Sequence, residues 1–248
     1  MTSDAPHMTT TLCLDFGNTR YKAAVFHNNQ LHEIIVLPDD NRDTLERLLQ
    51  QTRPAYSILS SVVNHQPHVE DLLRAHTHFH KLTYQSRLPF TTPVGKPETI
   101  GADRLALCAA AVHLFPGRHN LAIGLGTCIT YNFINQHHEF LGGSISPGLE
   151  MRFKSMHALT AKLPLVQMEW NFPLIGYDTK TNLLSGVAMG MAKEIDGIIE
   201  AYEEKFGNFN VLLTGGDTPH FAPLLKKQIF ADPQLIFKGL YAISVHNR

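Results

Sequence analysis

Two glycine turns in this 248-residue chain place residues suited to phosphate chemistry at fixed spacing. The first reads Asp15-Phe16-Gly17-Asn18-Thr19-Arg20-Tyr21-Lys22, the second Gly124-Leu125-Gly126-Thr127-Cys128-Ile129-Thr130. Gly17 and Gly126 let backbone approach an anion closely, and Asn18, Thr19 and Thr127 offer donors to its oxygens. Lys22 supplies a point charge. Asp15 is the carboxylate that would hold Mg²⁺ beside a triphosphate, through water. A third site, Thr214-Gly215-Gly216-Asp217, ends an apolar run and can lay backbone against a purine or its ribose. A fourth, Gly101-Ala102-Asp103-Arg104, opens a helix: Arg104 can grip a carboxylate and Asp103 can accept a hydroxyl proton. Each has a plainer reading. The first turn can be an ordinary hairpin with a surface acid, Asp103 a helix cap, and Gly215-Gly216 a strand-to-helix turn.

The elements that must position these residues alternate. Strand-like runs at Thr11–Leu14 and Tyr21–Phe26 flank the first turn, and Leu121–Ile123 and Tyr131–Ile134 flank the second. Leu31–Val36, Ser57–Val63, His80–Tyr84, Glu139–Ile145, Asn210–Thr214 and Gln234–Phe237 also read as strands. Helices are expected over Thr44–Gln51, Val69–His76, Ala102–Phe115, after Pro147-Gly148 through about Lys162, over Thr179–Phe206, near Phe221–Ile229 and at the end. Residues 1–9 read as a loose tail. A glycine turn between strands, used twice, suggests duplicated halves, here 1–118 and 119–248, of α/β class.

Hydrophobic residues make up 44% and charged residues 17%, which fits a globular chain. The net charge of −1 gives no electrostatic footprint for nucleic acid or an anionic membrane. No apolar run has the length to span a bilayer. The start, Met1–His7, lacks the basic and apolar regions of a signal peptide, so a cytoplasmic location is expected. Cys13, Cys108 and Cys128 show no paired spacing and read as small hydrophobes in a reducing compartment. His76, His78 and His80 alternate but have no acidic or cysteine partner nearby in sequence, as a metal site would need.

Taken in order, these segments resemble type III pantothenate kinases, of the sugar kinase/heat-shock ATPase/actin superfamily. Asp15–Lys22 resembles the first phosphate motif, Gly101–Arg104 the pantothenate motif, and Gly126, Thr127 and Thr130 the second phosphate motif. Gly142–Gly148 resembles the glycine-rich segment. Gly176–Thr179 with Ser185-Gly186 resembles the helix that contributes a threonine to the substrate. The resemblance implies two duplicated actin-like, ribonuclease H-like domains with a nucleotide cleft between them. It implies ATP- and Mg²⁺-dependent phosphorylation of pantothenate to 4′-phosphopantothenate, the first step toward coenzyme A. Asp103 would be the general base, Arg104 would hold the pantothenate carboxylate, and Thr179 would reach it from the second subunit of a homodimer. A non-catalytic nucleotide-binding regulator or accessory factor on the same fold is the alternative. Two positions depart from the pattern. Gly124 stands where the family usually has an aspartate ligand for K⁺ or NH₄⁺, and Val94 stands in place of a usual tyrosine. The first departure implies a weaker need for the monovalent cation.

Overall fold

The computed structural model describes residues 9–248; the expectation of a tail at residues 1–9 falls, except for Thr9, outside them. Two compact units form, one from residues up to Leu114 together with Leu235–Arg248, the other from Phe115–Gln234.

The first unit opens with β1 (Thr10–Phe16), β2 (Tyr21–His27) and β3 (Gln30–Leu37), followed by α1 (Arg42–Thr52), β4 (Tyr56–Ser61), α2 (Pro67–His76), β5 (His78–Lys81) and α3 (Ala102–Leu114). Its sheet runs β3-β2-β1-β4-β5. The first three strands are antiparallel neighbours, and β4 and β5 add in parallel on the other side of β1. β1 is central and covered on both faces, so its apolar run is continuous: Leu12, Cys13, Leu14 and Phe16 are fully buried.

The second unit holds β6 (Asn120–Leu125), β7 (Cys128–Ile134), β8 (Phe140–Pro147), α4 (Leu149–Ala158), α5 (Thr179–Phe206), β9 (Asn210–Gly215), α6 (Thr218–Phe221) and β10 (Phe230–Ala231). Its sheet order is β10-β9-β6-β7-β8, the same pattern: an antiparallel meander, with two parallel strands added beside the first strand. The duplication expected from the two turns is therefore present in the topology. α5 starts at a capping box in which Asp178 accepts from Thr181 N–H at 2.7 Å. Its apolar stripe, with Leu184, Met191, Ile195 and Ile199, packs into one core with Tyr131, Phe133 and Leu213.

The last helix, α7 (Leu235–His246), returns to the first unit and packs along α3. A Cβ on Gly239 would stand 1.8 Å from the Ala106 carbonyl oxygen, so the two backbones touch through a missing side chain. α3 is buried from Leu105 through Val112, which explains its unbroken Ala- and Leu-rich sequence. This corrects the expected halves: the break falls after Leu114, and 235–248 leaves the second half because α7 finds its apolar partner on α3.

Local boundaries also move. The fifth strand sits at His78–Lys81, where it pairs with Tyr56–Leu59, and not at His80–Tyr84. The fourth strand stops at Ser61, and α4 stops at Ala158, short of Lys162. The helix expected over Phe221–Ile229 is a single turn at Thr218–Phe221 followed by a 3₁₀ turn, because Pro223 lacks the N–H that a helix continuing from Thr218 would need; Pro219, in the first turn, removes no needed donor. Gln234–Phe237 is no strand; Leu235 already begins α7, and the strand is Phe230–Ala231.

Candidate active site

In the first unit, the turn Gly17–Arg20 closes with Gly17 N–H donating to the Arg20 carbonyl at 3.1 Å. Phe16 and Tyr21 flank it as a pair across β1 and β2, their rings stacked at 4.6 Å. The pair anchors the turn in the core while Asn18 and Thr19 stay exposed. Asp15 and Lys22 are the next pair, so a carboxylate and an ammonium leave the same end of the central strands. Ser60 Oγ, from the neighbouring β4, donates to Asp15 Oδ1 at 3.4 Å.

Asp103 stands in the first turn of α3, which begins after Gly101, and Arg104 and Leu105 donate to the Gly101 carbonyl at 3.0 and 3.2 Å. Its carboxylate folds back over that glycine: a Cβ on Gly101 would lie 2.5 Å from Asp103 Oδ1. Burial raises the Asp103 pKa, against backbone hydrogen bonding at Arg104 and the Arg104 charge. Burial also raises Asp15, to about 7, reinforced by the Asp103 charge and opposed by Lys22 and the Ser60 hydroxyl. The fold thus brings two sequence-distant acids close enough for the Asp103 charge to oppose ionisation of Asp15. A divalent cation bound there would relieve the cost of ionising Asp15. Asp15, a hard oxygen donor, fits Mg²⁺ held partly through water, since that ion keeps most of its hydration. Ala102 is buried at the helix start.

In the second unit, Gly126 and Thr127 join β6 to β7, with Gly126 N–H donating to the Cys128 carbonyl at 3.1 Å. Two other glycines close on this turn. Gly148, preceding α4, donates its N–H to the Thr127 carbonyl at 3.1 Å, and a Cβ there would sit 2.2 Å from the Gly126 oxygen. Gly215, at φ +109°, leaves no room for a Cβ, which would come within 2.0 Å of the Leu125 oxygen. Gly216 is open beside it, and Asp217 follows with its pKa raised by burial and by Glu150, against His220. The Gly126–Thr127 turn, the Gly215-Gly216 turn and the N-terminus of α4 therefore share one end of one sheet. Thr130 lies buried within β7, facing Gly124 across the pair, as a strand residue would. Thr179 is exposed in the first turn of α5.

Gly124 pairs with Thr130 on one side and Thr214 on the other, so its place in the sheet offers backbone and hydroxyl oxygens and no carboxylate of its own. His76 ends α2, bonded to the Leu72 carbonyl at 2.9 Å, and His80 on β5 bonds Ser86 Oγ at 2.8 Å. Cys13 and Cys108 are buried and Cys128 partly so. Sequence reasoning passed over Ser60 and assigned Gly148 no contact. Ser60 carries no local signal, since only the β1–β4 register sets it beside Asp15. Gly148 could have been suspected from its place at the end of a glycine-rich run.

The family model described as type III pantothenate kinase matches residues 11–201. Among similar curated proteins, the type III pantothenate kinase of Christiangramia forsetii is 42% identical over 240 residues, 96% of this chain and 98% of that one. That of Cytophaga hutchinsonii is 40% identical over 236 residues, 95% and 99%. Two solved structures share the fold. One, from Campylobacter jejuni and described as a Baf family transcriptional activator, has 21% identity and a TM-score of 0.60 over 95% of this chain and 98% of that chain. The other, a ROK family protein from Streptococcus pneumoniae, has 11% identity and a TM-score of 0.52 over 96% and 98%.

Proposed function

Because the chain belongs to the type III pantothenate kinase family, we propose that it transfers the γ-phosphoryl group of ATP to pantothenate, giving 4′-phosphopantothenate and ADP, the first committed chemistry toward coenzyme A. The observation that carries the residue-level reading is the meeting of Asp15 and Asp103, both with raised pKa, where β1 ends and α3 begins.

Phosphoryl transfer asks the protein mainly for positioning and charge neutralisation, plus one group to take the acceptor's proton. Asp103 is that group: its raised pKa keeps it basic enough to accept a hydroxyl proton as the new P–O bond forms. Arg104, next in the same helix turn, holds the pantothenate carboxylate, and Gly101 and Ala102, at the start of that helix, border the substrate. Gly17, Asn18, Thr19 and Lys22 take phosphate oxygens in the first unit, Gly126 and Thr127 in the second. Gly215 and Gly216 border the nucleoside. Asp15 would hold Mg²⁺, and the ion when bound would offset the charge of the phosphates. K⁺ or NH₄⁺ is a weaker requirement here, because Gly124 offers no anionic ligand.

The homodimer is part of the same reading. Leu174, Ile175 and Tyr177 are 72%, 84% and 82% exposed immediately before α5, an apolar run that a second copy would cover. Thr179 follows directly and would serve the partner's substrate. No helix of the described residues is long and apolar enough to cross a membrane. The non-catalytic alternative would need the glycine turns but neither Asp15 nor Asp103.

The test is direct. Purified protein with ATP, Mg²⁺ and pantothenate should release ADP in step with phosphorylated pantothenate. ATP binding without any product would favour the regulator.

A further inference from the structure

One polar cluster in the second unit lies outside the residues assigned above. Glu194, on α5, receives three donors from three other elements. Tyr131 Oη, on β7, donates to Oε1 at 3.1 Å, and Ser146 Oγ, at the end of β8, donates to the same oxygen at 2.5 Å. Arg152, one turn into α4, donates to Oε2. The guanidinium reaches further: Nη2 donates to Ser146 Oγ at 2.9 Å and Nε to the Pro147 carbonyl at 2.8 Å. The side chains of Arg152 and Glu194 are 20% and 26% exposed. Burial works to raise the Glu194 pKa, but bonds from Ser146, Arg152 and Tyr131 outweigh it, and the carboxylate is held below its usual range.

The cluster straddles the bend from β8 into α4, and the residue at the bend is Gly148. Its N–H is fixed to the Thr127 carbonyl, and the space its missing Cβ leaves is filled by the Gly126 and Thr127 oxygens, 2.2 and 2.6 Å from where a Cβ would be. A seat this close transmits displacement, because packed backbone has no slack to absorb it. Slackening Ser146, Pro147 or Arg152 therefore moves the turn that carries Thr127.

We propose that Glu194 is a positioning residue for nucleotide binding, acting through Ser146, Arg152 and Gly148 to hold the Gly126–Thr127 turn in its phosphate-binding conformation. The inference rests on reading that turn as a phosphate site. Glu194 itself touches neither substrate. Its action is selective: it governs ATP and leaves pantothenate, assigned to Gly101–Arg104 on α3 and to Thr179 at the far N-terminal end of α5, unaffected.

The experiment uses the full chain with Glu194→Gln, Glu194→Ala, Arg152→Ala and the double Ala variant. ATP affinity is measured by calorimetry with Mg²⁺, beside KM for each substrate and the thermal midpoint. Glu194→Ala should weaken ATP binding about tenfold, with KM for pantothenate held within about twofold, as expected for losing charge-assisted hydrogen bonds that support one ligand only. Glu194→Gln, which keeps the shape and an acceptor but loses the charge facing Arg152, should fall between, and it carries the test if the alanine variant does not fold. The double variant should be no worse than the more severe single one, since both break one network. Unchanged ATP affinity, or equal losses for both substrates with a lowered midpoint, overturns the proposal. If the parent binds ATP but does not phosphorylate pantothenate, the reaction assigned above fails while the ATP comparison still decides Glu194. If the parent does not bind ATP, both fall.

Discussion

A Cβ on Gly101 would stand 2.5 Å from Oδ1 of Asp103, so the absence of a side chain at one residue sets where the carboxylate two residues later can lie. Gly101 has no left-handed φ, and the atom it would meet is the end of a short side chain. Gly101→Ala should therefore push the carboxylate aside and leave the backbone in place. A fall in kcat of roughly 10–100-fold, with the thermal midpoint within a few degrees of the parent, is expected from misplacing a reacting group. Unchanged kcat would show that the carboxylate's resting place is immaterial.

Asp103→Asn keeps the shape and removes the basicity. Turnover should drop roughly 10²–10⁴-fold, the worth of general-base assistance, while ATP affinity stays near parental. Steady-state rates and ATP calorimetry on the same preparation separate the two. A variant with parental turnover removes Asp103 from the chemistry.

Asp15 links stability to pH. Folded, its pKa is about 7, against 3.8 as its ordinary value. Between those values the folded state holds a proton that the unfolded chain releases. Raising the pH from about 4 to 7 therefore destabilises the cation-free protein, and the loss is complete above pH 7. Asp15→Asn should be more stable than the parent at neutral pH without Mg²⁺, by on the order of 2–4 kcal/mol, and should decline less steeply than the parent from pH 4 to 7, since Asp103 and Asp217 still titrate. The same variant should lose Mg²⁺-dependent turnover. Thermal midpoints of parent and variant from pH 4 to 8 in chelator, and rates against Mg²⁺, check both halves; a gap between the two midpoints that fails to widen from pH 4 to 7 would refute the first.

Gly124 bears on the monovalent cation. Without a carboxylate at that place, ion attraction falls to carbonyl and hydroxyl oxygens, which replace a hydration shell less favourably than an anion does. Initial rates in sodium or Tris buffer should rise little on adding potassium at constant ionic strength. A large, saturable activation would show that other oxygens complete the site.

Gly239→Ala tests the packing of α7 on α3. The new methyl would collide with the Ala106 carbonyl, 1.8 Å from its position, and with Ala110 N at 3.1 Å. These are backbone atoms and cannot rotate away. Helix separation should cost about 1–3 kcal/mol, the range for overpacking, seen as a lowered denaturation midpoint. Activity should fall with it, since α3 carries Asp103 and Arg104.

The α/β pattern, the two strand–glycine–strand turns and the span of α5 from Thr179 to Phe206 were legible because each is written in neighbouring residues. Strand alternation, turn chemistry and caps are local, and a chain that repeats them in order repeats the topology built from them. The nearness of Asp15 and Asp103, the hydroxyl of Ser60 on Asp15, and Gly148 seated on the Gly126–Thr127 turn were decided by sheet register and helix packing. So was the transfer of Leu235–Arg248 to the first unit, where Gly239 meets Ala106. Gln234–Phe237 is apolar and β-compatible in isolation, yet it enters a helix, because α3 presents a long buried face that only a second helix can cover. Contacts between residues so far apart leave no periodicity in the sequence; they arise only when burial of one element's apolar face selects another's.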